Sequence, residues 1–288
     1  MPKLGVHVSI AGGIDKALDR AEELNCNTMQ IFTKNNNRWK ARELRPAEIE
    51  RYHERQAETG IEPVVTHASY LINLGSPKYK LWEKSMAALV IELRRCEILK
   101  IPYLVLHPGA HVKSGREAGL KRVAEGLDMV HNATSGYQVK IALELTAGQG
   151  TVLGYQFDEL STIISKCQQH ERLVVCFDTC HAIAAGYEFR NESAYQAMID
   201  KFDTVIGLDK LVVIHLNDSI GDLGSRLDRH AHIGMGKIGL EPFGFFLNDS
   251  RFTDIPFLLE TPQDVKIESD RENLARLRSL IDGVEDDA

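Results

Sequence analysis

Eight short apolar or β-branched runs recur along the chain, and their repetition constrains the fold more than any other feature. They are LGVHVS from Leu4, TMQIFT from Thr28, EPVVTH from Glu62, YLVLH from Tyr103, KIALE from Lys140, LVVCFD from Leu173, LVVIH from Leu211 and FLLE from Phe257. Their starts fall at intervals of roughly 25 to 45 residues, the length of one strand-plus-helix unit. Between them, Ile14, Ala17, Leu18, Ala21 and Leu24 follow helical spacing, as do Met86, Leu89, Val90, Leu93 and Cys96, so each helix has an apolar stripe to lay on a sheet. Eight such units predict an α/β fold, a single (β/α)8 TIM barrel over residues 1–281, with the active site at the C-terminal rim of the strands. A doubly wound open sheet is the alternative. Residues 282–288, carrying Asp282, Glu285, Asp286 and Asp287, read as a flexible acidic tail.

The polar residues that close these runs are of one kind. His67, His107, Glu144, Asp178, His215 and Glu260 each end one of the six strands from the third to the eighth. One buried histidine is usually a hydrogen-bonded core group, but six imidazoles and carboxylates in register at one rim make a metal cup. Just beyond lie His181 in DTCH and the pair Asp228 and His230 in LDRHAH. Three such groups at short spacing hold a cation and leave a fourth tetrahedral position open. His7, His111 and His232 lie near the same rim as supporting or incidental groups, whereas His53, His131 and His170 fall in helical or surface stretches. Cys176 shares the alternation of a buried strand and reads as a packed thiol, because a structural zinc site wants four nitrogen or sulfur ligands.

Composition narrows the class. A formal charge of −7 argues against holding nucleic acid through a broad basic surface. The start MPKLGVHVS lacks a basic stretch followed by an apolar run, and no segment reaches the apolar length of a membrane span. Five scattered cysteines fit reduced thiols. A cytoplasmic protein with no membrane partner is expected.

At these residues the chain resembles the endonuclease IV family of zinc-dependent apurinic/apyrimidinic endonucleases, from GVHVSIAGG near Gly5 through FLLETP near Phe257. The stretches that carry the resemblance are HASYLINLG from His67, LHPGAH from Leu106, ELTAGQG from Glu144, CFDTCHAIAAGY from Cys176 and HLNDSIGDLGSRLDRHAHIGMG from His215. It implies three zinc ions per chain: one on His67, His107 and Glu144; a second sharing Glu144 and adding Asp178, His215 and Glu260; a third on His181, Asp228 and His230. It further implies hydrolysis of the phosphodiester 5′ to an abasic site in duplex DNA, leaving a 3′-hydroxyl and a 5′-deoxyribose phosphate. Glu144 and Glu260 enter the catalytic set as ligands first, with a proton-handling role for Glu260 left open. Three divalent ions would also bring the formal charge of −7 to about −1.

Damage recognition in the family bends the duplex and pushes the abasic nucleotide out of the stack. Tyr70 and Leu71 match the wedging positions, and Asn35, Arg38 and Arg229 are the other expected DNA contacts. Lys34, Lys40, Lys78, Arg226 and Lys237 are further cations in rim loops. Two positions depart from the family: Asn37 stands where an inserting Arg is usual, and Ile220 where a Lys is. A monomer is expected. Two other readings stay open. A divalent-metal sugar isomerase or epimerase would use Glu144, Asp178, His215 and Glu260 but leave the remaining ligands idle. A non-catalytic binder of damaged DNA would have no reason to keep so many costly buried charges.

Overall fold

The computed structural model describes residues 2–262 and 267–283. In chain order the strands are β1 (Lys3–Val6), β2 (Met29–Ile31), β3 (Val64–His67), β4 (Tyr103–Leu106), β5 (Lys140–Glu144), β6 (Leu173–Asp178), β7 (Leu211–His215), β8 (Asp218–Ser219), β9 (His230–Ala231) and β10 (Pro256–Leu259). The helices are α1 (Asp15–Glu23), α2 (Pro46–Thr59), α3 (Tyr79–Ile98), α4 (Arg116–Ala133), α5 (Phe157–Lys166), α6 (Thr179–Ala185), α7 (Glu192–Val205), α8 (Pro242–Leu247) and α9 (Ile267–Arg278). All eight expected strands form, and they lie in the order β1-β10-β7-β6-β5-β4-β3-β2 with every pairing parallel. The ring closes between β1 and β2 by a parallel bridge of His7 with Gln30, in which the Val8 amide donates to the Gln30 carbonyl at 2.8 Å. This is the TIM barrel the repetition predicts, not an open sheet.

The pleat sorts each strand's residues into two layers. Val65, Val105, Ala142, Val174, Cys176, Val213 and Leu258 fill the barrel's interior. Their neighbours, among them Val64, Leu104, Leu106, Ile141, Leu143, Val175, Phe177, Ile214, Phe257 and Leu259, pack outward against the helices. The helical stripes meet that outer layer: Ala17, Leu18 and Ala21 of α1 and Met86, Leu89, Leu93 and Cys96 of α3 are buried. Burying Leu18 alone is worth about 1.5–3 kcal/mol. Helix ends follow local chemistry. Pro46 opens α2 while the Glu48 carboxylate accepts from the Arg45 amide at 3.0 Å, and Gly60, at φ 64°, closes it.

His131, expected to need no special role, is wholly buried in α4. Burial, together with the Arg172 guanidinium, pulls its pKa down to about 4. Of the expected acidic tail, residues 284–288 lie outside the described residues; the Asp282 amide donates to Asn248 Oδ1 at 2.9 Å. Among the described residues no helix is long and apolar enough to cross a membrane.

Closure of the ring rests on a glycine. A Cβ placed on Gly5 of β1 would lie 2.0 Å from the Thr28 carbonyl oxygen and 2.6 Å from its carbon, so β1 approaches the chain entering β2 more closely than any side chain allows. Gly5→Ala is therefore expected to cost at least about 1–3 kcal/mol, the scale of overpacking against an unyielding neighbour. A shift in the urea midpoint at unchanged slope checks it; a midpoint equal to that of the parent would show that the seam can open freely.

Candidate metal centre and rim

The same pleat that builds the interior aims the polar residues. In each case the inward group at the rim follows an interior residue by two positions: Val65 and His67, Val105 and His107, Ala142 and Glu144, Cys176 and Asp178, Val213 and His215, Leu258 and Glu260. The register continues on the two remaining strands, where His7 and Gln30 form the closing bridge. Every strand thus contributes one polar group to the mouth of the barrel.

Glu144 is the centre of this ring and is fully buried. Its Oε2 lies 3.1 Å from His67 Nε2 and 2.9 Å from His107 Nε2, and its Oε1 lies 3.2 Å from His215 Nδ1 and 3.3 Å from His181 Nδ1. Burial pushes its pKa up, but His107 and His215 oppose that and hold the carboxyl well below the ordinary range. Glu260 is also drawn well down, burial being outweighed by His215, His7 and His67. His181 and His215 respond in reverse. Burial opposes charge on His181, yet Asp178, Asp228 and Glu144 raise it well above the usual value. Asp228 falls to about 2, against its burial, through His181 and His230.

His67, His181, His215 and His230 are each fixed by a second ring contact. His67 Nδ1 is 2.8 Å from the Ala68 carbonyl, which turns Nε2 to Glu144. His215 Nε2 donates to Gln30 Oε1 at 2.9 Å and presents Nδ1 to Glu144, Glu260 and Asp178. His230 Nδ1 donates to the Glu260 carbonyl at 2.9 Å. Its Nε2 is buried without a hydrogen-bond partner among the described residues, 3.9 Å from Asp178 Oδ2 and 3.8 Å from Asp228 Oδ1.

Three donor groupings result from this packing. His67, His107 and Glu144 form one; Glu144, Asp178, His215 and Glu260 form another; Asp178, His181 and His230 form a third. Asp228 joins the third through His181 Nε2 at 3.2 Å. Asp178 therefore faces both the second and the third grouping, where the sequence reading gave it to the second alone. Nitrogen-to-oxygen separations of 2.9 to 3.9 Å bracket the roughly 3.4 Å that separates two ligands of one tetrahedral cation bound at about 2.1 Å. The residues fit metal ions. Cys176 Sγ also comes near Glu144 and His215; it is wholly buried in the interior layer, and burial pushes this thiol up to about 12.

Several functional side chains escaped the sequence reading. Gln30 donates through Nε2 to Glu260 Oε1 at 2.6 Å while accepting from His215, bridging two ligands. Asn217 donates to Asp178 Oδ2 at 2.6 Å and accepts the Glu260 amide at 2.7 Å. Gln149 Oε1 accepts the Asp228 amide at 3.0 Å. A lone amide inside the apolar run TMQIFT was the one available signal, and only for Gln30. The segment LDRHAH is anchored by the antiparallel ribbon β8–β9, which pairs Ser219 with His230.

Around the cup, Tyr70 is the prominent exposed group, with 59% of its surface open. Its ring stands 5.4 Å from that of His67 and 5.7 Å from that of Phe32. It separates a cavity of about 380 Å³ beside His7 and Glu260 from one of about 250 Å³ beside His107 and Asp228. Leu71 is half-buried, while Asn35, Asn37, Arg38 and Arg229 are exposed. The Asn35 side chain accepts the Asn37 amide at 2.9 Å, so its carbonyl is spent on the turn. Arg226 lies over the Tyr155 ring. Lys34 overturns the expectation of a phosphate-facing cation: it is buried and paired with Glu92 at 3.1 Å.

Residues 18–280 match a family model described as "Xylose isomerase-like TIM barrel". A curated relative from Chloroflexus aurantiacus, "Probable endonuclease 4", is 50% identical over 285 residues, covering 99% of this chain and 100% of its own. The crystal structure of endonuclease IV from Thermus thermophilus superposes with a TM-score of 0.87 at 39% identity, covering 97% of this chain and 98% of that one. A D-tagatose 3-epimerase-like protein superposes at 0.72 with 18% identity, covering 96% of each chain, which shows a shared fold alone. With half its residues identical to a full-length relative of that name, the chain belongs to the endonuclease IV family.

Proposed function

We propose that the protein is a DNA-repair endonuclease that hydrolyses the phosphodiester 5′ to abasic sites in duplex DNA, acting in the cytoplasm as a monomer with three zinc ions. The observation that carries this reading is the convergence of all nine sequence-derived donors on one buried cup, arranged around Glu144 and His181. A sugar isomerase needs only Glu144, Asp178, His215 and Glu260, and would leave His67, His107, His181, Asp228 and His230 as buried or half-buried polar groups without work. The orphaned Nε2 of His230 supports a ligand at the third grouping.

In this reading His67, His107 and Glu144 hold one ion, Glu144 with Asp178, His215 and Glu260 a second, and His181, Asp228 and His230 a third. Zinc held there would supply Lewis acidity and lower the pKa of water toward neutral. The chain's own residues orient and enclose that chemistry. Glu144 spans two groupings with its two oxygens, and Asn217 fixes Asp178 relative to Glu260. Tyr70, beside His67, and Leu71 are the wedge that enters the duplex, with Asn35, Arg38 and Arg229 as the other DNA contacts. Exposed Asn37 and Ile220, in place of the usual Arg and Lys, weaken affinity more than turnover.

Cleavage of a labelled duplex holding one abasic analogue, without added magnesium, tests the reading. The expected result is a cut on the 5′ side that disappears when metal is stripped, returns with zinc, and falls at least about a hundredfold in Glu144→Gln, the scale on which lost charge stabilisation is felt. No cut by protein holding three metals per chain would overturn it, and one or two metals with epimerase activity would establish the isomerase.

Gln30 gives a second test, independent of turnover. Because it braces His215 and Glu260 at once, Gln30→Leu is expected to weaken metal binding by about 10–100-fold, as loss of an outer partner does. Competition with a chelating dye measures it; an unchanged affinity would mean that the ligands are held without the amide.

A further inference from the structure

We infer that the buried Lys34–Glu92 ion pair is a positioning device that locks the loop after β2 to the Tyr70 loop, presenting them as one preassembled recognition element; this rests on the damaged-DNA reading above. Lys34 and Glu92 have side chains 5% and 2% exposed and lie 3.1 Å apart. Lys34 Nζ also donates to the Arg38 carbonyl at 2.8 Å. Glu92 Oε1, projecting from α3, accepts the Ser69 amide at 3.2 Å. The Ser69 hydroxyl donates to the Asn36 carbonyl and accepts the Leu71 amide at 3.3 Å. A single charge pair thereby fixes both ends of the juxtaposition: residues 36–38 on one side, residues 69–71 on the other. Beside it Arg95, also from α3, donates to the Thr33 carbonyl at 3.1 Å and to the Arg42 carbonyl at 2.8 Å, so the loop is tied down before and after the exposed segment.

Such a pair is a poor choice if stability is its only purpose. Burying two charges costs several kcal/mol per ion, and a well-packed apolar pair of similar volume is often as stable or more so. What an apolar pair cannot do is accept an amide from one loop and donate to a carbonyl of the other. Asn37 and Arg38 are exposed on one loop and Tyr70 is 59% open on the other, so the relative placement of the two depends on the backbone beneath. Fixing that placement before binding removes an ordering cost at the moment of association. The device thus acts on substrate affinity, through the placement of the two loops that Lys34 and Glu92 hold.

The test is steady-state cleavage of the abasic duplex by Lys34→Met, Glu92→Gln and the double variant, each with its metal content and thermal stability measured, alone and in a Tyr70→Ala background. Lys34→Met is expected to raise KM about tenfold, the order that lost preorganisation of one loop produces, with kcat and metal content within about twofold of the parent. In the Tyr70→Ala background the same substitution is expected to add little, because coupled residues are non-additive. The double variant removes both buried charges, so it avoids the unpaired Glu92 that Lys34→Met alone leaves, and it is expected to keep the raised KM. A full KM penalty persisting in the Tyr70→Ala background, or a fall in stability with KM unchanged, would overturn the inference. If the parent cuts no abasic duplex while fully metallated, the functional reading fails first and the inference falls with it; if the parent cuts and all three variants match it, the inference alone is wrong.

Discussion

A carboxylate with no exposed surface, Glu144, holds the site together. A lone charge in that position is untenable in a protein interior. It is tolerated because four imidazoles from β3, from the residue after β4, from α6 and from β7 reach its two oxygens within 3.3 Å. Those imidazoles are in turn fixed by Ala68, Leu145, Gln30 and the other carboxylates. Removing any strand from the ring would break this arrangement, so the geometry of the cup and the closure of the barrel are one constraint seen from two sides.

Barrel closure explains why function sits where it does. Parallel strands paired in near register bring their C-terminal ends to one rim, and a two-residue pleat repeat places the group two positions past an interior Val, Ala, Cys or Leu on the inner face. The cup is a continuation of the core's own layering with the residue type changed. The seam between β1 and β2 is the weak place in this design, resting on the His7–Gln30 bridge and on a glycine that permits close approach. The same two bridge residues touch Glu260, so the element that closes the ring also braces a ligand.

Strand positions and six of the donors were readable because both obey regular spacings: apolar runs at the length of one βα unit, the third to the eighth each ending in His, Asp or Glu, with His181, Asp228 and His230 standing out just beyond. Asn217 and Gln149 were not, since an amide in a loop has no periodic signature and acquires its role only when folding brings it to Asp178 or Asp228. The ribbon β8–β9 was missed because two-residue strands carry no pattern. Lys34 was misread for a physical reason: a loop lysine near a rim is normally solvated, and nothing in FTKNNN reveals that Glu92, 58 positions away in α3, waits beneath it. The DNA contacts stayed at the level of resemblance, because exposed side chains are fixed by a partner and not by their own chain.

The charge balance, which at first argued against nucleic acid, becomes part of the case once the cup is located. Four of the carboxylates that make the chain acidic, Glu144, Asp178, Asp228 and Glu260, lie together at the cup, where the proposed reaction would bring a phosphodiester. A bare cup of that kind repels a phosphate at close range, where a low local dielectric strengthens the interaction. Divalent ions on those carboxylates reverse the sign of the local field without altering any exposed residue. On the proposed reading a broad basic surface is unnecessary for the chemistry, and exposed rim cations such as Arg38 and Arg229 are left for placement. The acidity of the chain is thus what a metal-dependent phosphodiesterase requires at its centre, and is at odds only with a protein that would hold DNA by its surface alone.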